Sequence, residues 1–152
     1  MELNVINRTK RKGYVNYRKD FENIVSKAIE VLDLNEDICL SVIFTLDKRM
    51  REINRQYRNV DSSTDVISFA LNDYQDDGDF YDIELGDIFI NIEAAQRQAQ
   101  EYNHSERREI CFLFTHGLLH LCGFNHLNTS EEQEMIKYQK LILDDIVPRE
   151  ER

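Results

Sequence analysis

Tryptophan is absent from the sequence, and proline occurs once, glycine five times and cysteine three times in 152 residues. With no low-complexity tract or linker, the chain is expected to form one domain over residues 1–152. No apolar run reaches the ~18 residues of a membrane span, and the first residues, MELNVINRTKRKG, lack the apolar core of a secretion signal. The odd number of cysteines and the lack of a C-x-x-C pair favour reduced thiols in the cytoplasm.

Basic residues are outnumbered as well. The formal net charge is −10 at pH 7, which argues against a general nucleic-acid coat protein. One short stretch, Asp47–Arg58, is nevertheless basic and contains Lys48, Arg49, Arg51, Arg55 and Arg58. Such a strip can follow a phosphate backbone, although a solvated helix face has the same composition.

The periodicity of apolar residues predicts an α+β fold, in which a small mixed sheet of about four strands has helices packed on it. Strands are expected over Glu2–Ile6, Asp37–Thr45, Asp65–Ala70 and Gly86–Asn91. Helices are expected over Arg18–Leu32, Leu46–Arg58 and Ile92–Tyr102, followed by a helix that runs into the histidine-rich stretch and a last helix that ends before Pro148.

Capping residues and buried faces can also be assigned. Asn91 and Ser105 are suitable N-caps for the third and fourth helices, and Thr129 with Glu132 forms a capping box for the last helix. The second helix is expected to bury Leu46, Met50, Ile53 and Tyr57, and the last helix Met135, Ile142 and Ile146.

An acidic segment precedes the fourth strand and carries Asp73, Asp76, Asp77, Asp79, Asp82 and Glu84. Its spacing approaches a calcium-loop pattern, but Gln75 stands where Asp or Asn is required, and strands flank it where helices are required. A solvated acidic loop is therefore the preferred interpretation.

Three of the four histidines fall in one stretch, Thr115–His126, with the sequence THGLLHLCGFNH. His116 and His120 are four residues apart, so on a helix their side chains lie on one face. Gly123 can take the left-handed conformation that ends a helix, so that His126 can offer a third imidazole to the same point. Three imidazoles without a fourth protein ligand are typical of a catalytic zinc site, which nickel or cobalt can also occupy.

The alternative is a buried helix with hydrogen-bonded core histidines, because the residues around the histidines are almost all apolar. Each ring would then take a donor and an acceptor out of water, and an unpaired buried polar group costs about 1–3 kcal/mol. A metal ion accepts all three lone pairs at once, which favours the metal site. Cys122 lies two residues from His120, where helical side chains diverge, and is interpreted as a buried thiol.

The stretch His116–His126 closely resembles the HGxLHLxGxDH signature of the YbeY family, the bacterial endoribonucleases of ribosomal RNA maturation. Asn54–Arg58, Asp61 and Thr64–Phe69 resemble a second signature of this family, and Leu85–Ile88 resembles a third. Two positions depart from the pattern: Asn125 stands where the family has Asp, and Ala70 where it has Pro. The first departure removes a carboxylate beside a predicted metal ligand.

The resemblance implies that His116, His120 and His126 bind zinc and that Arg58 and His116 are catalytic. It also implies a single-stranded RNA substrate in ribosomal RNA maturation and ribosome quality control. The small ribosomal subunit and its proteins are further candidate partners, whereas neither DNA specificity nor a membrane partner is indicated.

Two other functions share parts of the pattern. Metzincin proteases have the spacing HExxHxxGxxH, in which the glutamate is the general base, but Gly117 occupies that position here. A non-catalytic ribosome-assembly factor would use zinc structurally, usually with four protein ligands. A fourth ligand, such as Cys122 or an acidic side chain, would favour that alternative.

Overall fold

The computed structural model describes residues 1–71 and 83–148. Within them, four strands form one mixed sheet: β1 (Glu2–Asn7), β2 (Cys39–Thr45), β3 (Val66–Ala70) and β4 (Glu84–Asn91). The strand order is β1-β2-β4-β3, in which β1, β2 and β4 are parallel and β3 is antiparallel to β4. The α-helices are α1 (Arg18–Leu32), α2 (Asp47–Arg58), α3 (Ile92–Glu101), α4 (Glu106–Leu121) and α5 (Thr129–Leu143). The predicted α+β fold class is confirmed.

The two faces of the sheet bury different amounts of apolar surface. Alternate residues of β4 point to opposite faces, and Ile88 belongs to the large core that also contains Phe114 of α4. On the other face, Met50 and Ile53 of α2 pack against Ile67 in a small separate cluster. The helix α4 lies in the large core and contacts β3, β4, α1, α3 and α5. Among the described residues, no helix is long and apolar enough to cross a bilayer.

The structure shows why the third signature, Leu85–Ile88, contains a glycine at position 86. The pairing of β2 with β4 shifts register at this point, so that Cys39 pairs with Glu84 and Leu40 with Gly86. Gly86 has a φ of +135°, and a Cβ atom there would lie 2.0 Å from the carbonyl oxygen of Phe69. A side chain at this position is therefore excluded by the neighbouring strand.

Two predictions about the α2 and α5 helices are wrong. Tyr57 was expected in the buried face of α2, but it is 60% exposed and contacts Phe69 edge-on at a ring distance of 5.4 Å. The N-cap of α5 is Asn128 rather than Thr129, because the Asn128 side chain accepts a 2.9 Å hydrogen bond from the Glu131 amide.

The remaining differences concern the ends of elements. The fourth strand begins at Glu84, whereas the predicted strand begins at Gly86 and Glu84 was assigned to the acidic segment. The last helix ends at Leu143, so Ile146 lies half-buried in the following turn while Val147 is buried. The rest of the acidic segment, including the calcium-like positions Asp73, Gln75, Asp77 and Gly78, lies outside the described residues.

Candidate metal centre

The helix α4 positions the first two histidines, and both of its ends are well defined. At its start, the Ser105 hydroxyl accepts a 3.0 Å hydrogen bond from the Arg108 amide, as expected of an N-cap. At its end, Gly123 has a φ of +97° and its amide donates to the His120 carbonyl at 3.0 Å. The Phe124 amide donates to the Leu119 carbonyl, also at 3.0 Å, which completes a Schellman motif.

This turn brings His126 back to the helix. The ring centroids of His116 and His120 are 4.7 Å apart. The ring centroid of His126 lies 5.8 Å from that of His116 and 5.2 Å from that of His120. One ring nitrogen from each residue lies within 4.8 Å of the other two. The structure therefore brings together the three predicted side chains, which we call the three-histidine cluster.

The hydrogen bonds of His120 fix which of its nitrogens faces the cluster. Nδ1 lies 2.9 Å from the carbonyl oxygen of Phe124, which can only accept, so Nδ1 carries the proton. Nε2 then has a free lone pair and lies 3.1 Å from Nε2 of His116. Two nitrogens bound to one tetrahedral zinc ion at ~2.0–2.1 Å are about 3.3 Å apart. The donor set and its spacing therefore fit such an ion.

The protonation state suits metal binding too. Burial, with the neighbouring His120, lowers the pKa of His116 to about 4. Burial also lowers the pKa of His120. Both rings are therefore neutral near pH 7, and their lone pairs are not occupied by protons.

Gly117 packs the helix against the sheet directly behind the cluster. A Cβ atom at this position would lie 2.7 Å from Cγ2 of Ile88 and 3.0 Å from the Ser68 hydroxyl oxygen. The Ser68 hydroxyl also donates to the Gly117 carbonyl at 3.1 Å. A glutamate, the metzincin general base, has no room here, which is evidence against the protease alternative.

No fourth protein ligand is present in the part of the chain that the structure describes. Within residues 1–71 and 83–148, only the three histidines lie close enough together to hold an ion. Cys122 is half-buried outside this group, and burial raises its pKa to about 11. Asn125 is exposed, and its amide nitrogen lies 3.5 Å from the Gly123 carbonyl oxygen. An open coordination position is the arrangement of catalytic sites rather than structural ones.

Arg58 lies at the end of α2 and is exposed. It is near enough to contribute to the lowered pKa of His120, after burial and His126. Within the described residues Arg58 forms no ion pair, whereas Arg51 binds Asp61 at 2.9 Å and Arg49 binds Glu52 at 3.1 Å. Part of the basic strip is thus neutralised, whereas the charge of Arg58 is not paired within the described residues.

A cavity of about 690 Å³ opens beside His116 and His126, between α4, α5 and the end of α3. We call it the side cavity. Glu109 lines it and is only 4% exposed, and burial, with the nearby Asp65, raises the pKa of Glu109 to about 7. Asp65, Glu109 and Gln139 all line this cavity, and none of them was predicted to be a site residue. Glu109 lies seven residues before His116, so both side chains lie on the same helix face. This spacing could have identified Glu109 from the sequence.

The fold and the site together define a class of protein. It is an α+β protein in which a buried helix on a mixed sheet carries two histidines, and a glycine turn after the helix brings a third histidine to the same open site. Comparisons with known proteins narrow this class. The model of the family described as Endoribonuclease YbeY matches residues 4–147. The chain therefore belongs to the endoribonuclease YbeY family, a family of nucleases, and the resemblance identified in the sequence is confirmed.

Individual relatives cover nearly the whole chain. An Endoribonuclease YbeY of Listeria monocytogenes is 41% identical over 95% of this chain and 94% of its own length. One from Staphylococcus carnosus is 44% identical over 90% of this chain and 92% of its own. The solution structure of TM1509 from Thermotoga maritima superposes with a TM-score of 0.62 at 27% identity, covering 95% of this chain and 88% of that one.

Proposed function

We propose that the protein is a zinc-dependent endoribonuclease that cleaves single-stranded RNA during ribosomal RNA maturation and ribosome quality control. The observation that carries this proposal is the three-histidine cluster with an open position, in a chain of the endoribonuclease YbeY family. The site of action is the cytoplasm, and precursors of ribosomal RNA are the substrates. The small ribosomal subunit is the assembly on which these precursors are encountered.

In this proposal, His116, His120 and His126 hold the ion through ring nitrogens that carry no proton. The Phe124 carbonyl orients the His120 ring and keeps its proton on Nδ1. When bound, zinc supplies Lewis acidity toward a phosphoryl oxygen and acidifies water. His116, the proposed catalytic ligand, lines the side cavity together with His126, so both rings lie where the reacting strand can reach them.

Arg58 is the proposed phosphate clamp. Its planar guanidinium can donate two hydrogen bonds to one phosphate, and it offsets the negative charge that develops as the phosphodiester bond breaks. The other arginines of the strip contribute positioning rather than sequence recognition. Arg49 and Arg51 are less available, because they form ion pairs with Glu52 and Asp61.

The test is metal content measured together with RNA cleavage. The purified protein should contain about one zinc per chain, and a chelator should abolish cleavage of end-labelled single-stranded RNA. Added zinc should restore the rate, with nickel or cobalt as partial substitutes. Cleavage at the full rate by the metal-free protein would refute the proposal. An absorption-edge spectrum with sulfur in the ligand set would favour the structural-zinc alternative.

A further inference from the structure

The side cavity adjoins the three-histidine cluster, but no part of the proposed chemistry uses it. We propose that it binds one unstacked nucleobase of the RNA strand and prefers guanine. The inference rests on the proposed function, because the cleaved phosphate would lie at the cluster and its neighbouring base would enter the cavity. It assigns a determinant of base preference to Glu109 and Gln139.

The cavity is large enough to admit a nucleobase, and it lies beside the cluster. Its volume of about 690 Å³ lies within the roughly 300–1,000 Å³ of small-molecule sites. His116 and His126 belong both to the cluster and to the cavity wall. A strand whose phosphate lies at the cluster can therefore place an adjacent base in the cavity without a further change in the protein.

The walls provide apolar and aromatic faces. Phe112, half-buried on α4, stacks against His116 with an interplanar angle of 16° and a centroid distance of 6.3 Å. Met135 is 4% exposed, and Tyr102 and Ile136 lie at the more exposed part of the wall. Proteins that bind an unstacked base hold its flat faces between aromatic and apolar side chains of this kind.

The buried polar side chains are hydrogen-bond acceptors. Gln139 is 6% exposed, and its Nε2 donates to the Phe112 carbonyl at 3.0 Å. Because a carbonyl can only accept, this bond fixes the orientation of the amide. Its Oε1 is buried and, among the described residues, has no hydrogen-bond partner. A buried acceptor without a donor is costly in an empty cavity and useful in one that receives a ligand with N–H groups.

Glu109 is the second acceptor. Its side chain is buried on α4, and in the described part of the chain nothing donates a hydrogen bond to its carboxyl group. The adjacent Arg108 is already bound to Asp144 at 2.9 Å and to the Val147 carbonyl at 2.7 Å. Arg108 is thus occupied elsewhere, and the Glu109 oxygens remain available to a ligand.

Two acceptors select a base that presents adjacent donors. Guanine presents N1–H and the N2 amino group side by side on its Watson–Crick edge, and a carboxylate can accept from both. Adenine and cytosine present one amino group beside an acceptor nitrogen, and uracil presents one N–H between two carbonyls. Asp65, held by Gln98 at 3.1 Å, adds further negative charge at the cavity wall, which disfavours a phosphate or carboxylate there.

The first experiment uses free nucleosides, which lack a phosphate and so report on the cavity rather than on the metal centre. Guanosine and inosine differ only in the N2 amino group. Their dissociation constants for the full chain are measured by NMR titration, well above the pKa of Glu109. We expect guanosine to bind roughly tenfold more tightly than inosine, as for other two-point base contacts. Equal binding of the two nucleosides, or no detectable binding of either, overturns the inference without any variant.

The second experiment uses Glu109→Gln, which replaces one acceptor oxygen with a donor at constant shape. It should abolish the preference for guanosine, while the matched control Glu30→Gln on the exposed face of α1 should retain it. Retention of the preference by a folded Glu109→Gln protein would also overturn the inference.

The inference and the proposed function can fail separately. RNA cleavage without any base preference at mapped cut sites, and without nucleoside binding, leaves the nuclease intact and removes the base site. Selective guanosine binding by a protein that cuts no RNA supports the base site and refutes the nuclease.

Discussion

The helices α4 and α2 both carry candidate functional residues, yet they differ sharply in burial. Nearly the whole of α4 is buried and contacts the sheet and three other helices. In α2 only Met50, Ile53 and Asn54 are buried, and the basic residues face outward. His116 and His120 therefore project from a buried helix, whereas Arg58 projects from the exposed end of α2.

This difference suits the two chemical tasks proposed for these helices. Metal ligands must converge within a few tenths of an ångström, and a buried helix with capped ends provides that precision. A phosphate clamp instead has to follow a substrate that moves, and a long arginine at an exposed helix end can do so. Substitutions in α4 should thus disturb site and fold together, whereas substitutions at the end of α2 should disturb activity alone.

The largest effect is expected from His120→Ala. The change removes one of the three proposed ligands, together with its hydrogen bond to the Phe124 carbonyl. Metal content should fall to background, and cleavage should fall by more than the roughly 10–100-fold typical of losing a residue that only supports a ligand. The melting temperature should also fall, because an incomplete ligand set no longer stabilises the fold.

The matched control is His104→Ala, which changes the one histidine outside the cluster and should keep its metal. If His120→Ala retained stoichiometric metal and melted at the wild-type temperature, the coupling of site and fold in α4 would be disproved.

Arg58→Ala should give the next largest effect, on activity alone. Cleavage should fall by roughly 10²-fold or more, since the lost contact acts on charge that develops in the transition state. Metal content and melting temperature should not change, because Arg58 is exposed and makes no ion pair within the described residues. Arg58→Lys should recover only part of the rate, since an ammonium group cannot make the planar two-point contact.

Arg55→Ala, one helical turn earlier, is the comparison. Arg55 is exposed as well, so its loss should weaken RNA binding in a salt-dependent way and reduce cleavage much less. Equal losses in the two variants would make Arg58 an ordinary member of the basic strip.

Gly117→Ala tests the support of α4 directly. The added methyl group would lie 2.7 Å from Cγ2 of Ile88, so α4 or the strand must shift. We expect a loss of about 1–3 kcal/mol in the free energy of unfolding, as for other overpacked cores, measured by denaturant unfolding of metal-free protein. In the background of Ile88→Ala, which removes the obstructing atoms, the same change should cost less. If the losses in the free energy of unfolding from Gly117→Ala and Ile88→Ala were additive, the added methyl group would not be strained against Ile88.

The sequence predicted the local features of the fold because these depend on residues close together in the chain. Four strands and the helices α1 to α5 follow from periodicities of two and of about 3.6 residues, and Asn91 and Ser105 cap their helices as expected. The His116–His120 spacing and the turn at Gly123 are also local, so the convergence of the cluster could be inferred without the structure.

Features that depend on where an element ends against its neighbour could not be inferred in this way. Tyr57 lies on the helical face of Met50 and Ile53, but that face extends past the packed part of the sheet, so Tyr57 stays exposed. Asn54 is buried in its place, and its amide donates to the Ser62 carbonyl at 2.9 Å. Periodicity identifies a face and does not show how far the partner surface reaches.

The side cavity could not be predicted from the sequence for a related reason. Glu109, Gln139 and Asp65 come from three separate segments that only the packing of α5 and β3 against α4 brings together. Glu109 also satisfied a simpler expectation, because an acidic residue in the first turn of a helix is favourable. Its burial depends on the packing of α3, α5 and β3 against α4, which the first-turn position does not reveal.

Glu109→Gln should change how the free energy of unfolding depends on pH. Burial and Asp65 raise the pKa of Glu109 from 4.5 to about 7, so the folded state holds a proton that the unfolded state has lost. The resulting stability is present below pH 4.5 and is lost as the pH rises through about 7. Relative to wild type, Glu109→Gln should therefore gain roughly 3 kcal/mol across this window.

Metal-free protein and denaturant titrations at a series of pH values provide the measurement, since the histidines titrate equally in both proteins and cancel in the difference. The exposed helix α2 provides the contrast, because Arg55→Ala should show no such trend between pH 4.5 and 7. A constant difference between wild type and Glu109→Gln at every pH would mean that the carboxyl group is solvated.

The smallest effect is expected from Asn125→Asp, which restores the residue usual in the family's signature. Asn125 follows the glycine turn and is exposed, and its amide nitrogen lies 3.5 Å from the Gly123 carbonyl oxygen rather than at the imidazoles. Metal content should remain unchanged, stability should change by less than about 0.5 kcal/mol, and the cleavage rate should stay close to that of the wild type. Metal content, melting temperature and the rate of RNA cleavage, all measured on one preparation, test this prediction. A clear rise in rate would show that a carboxylate at this position reaches the cluster, so the turn after α4, and not only the buried helix, would position a catalytic group.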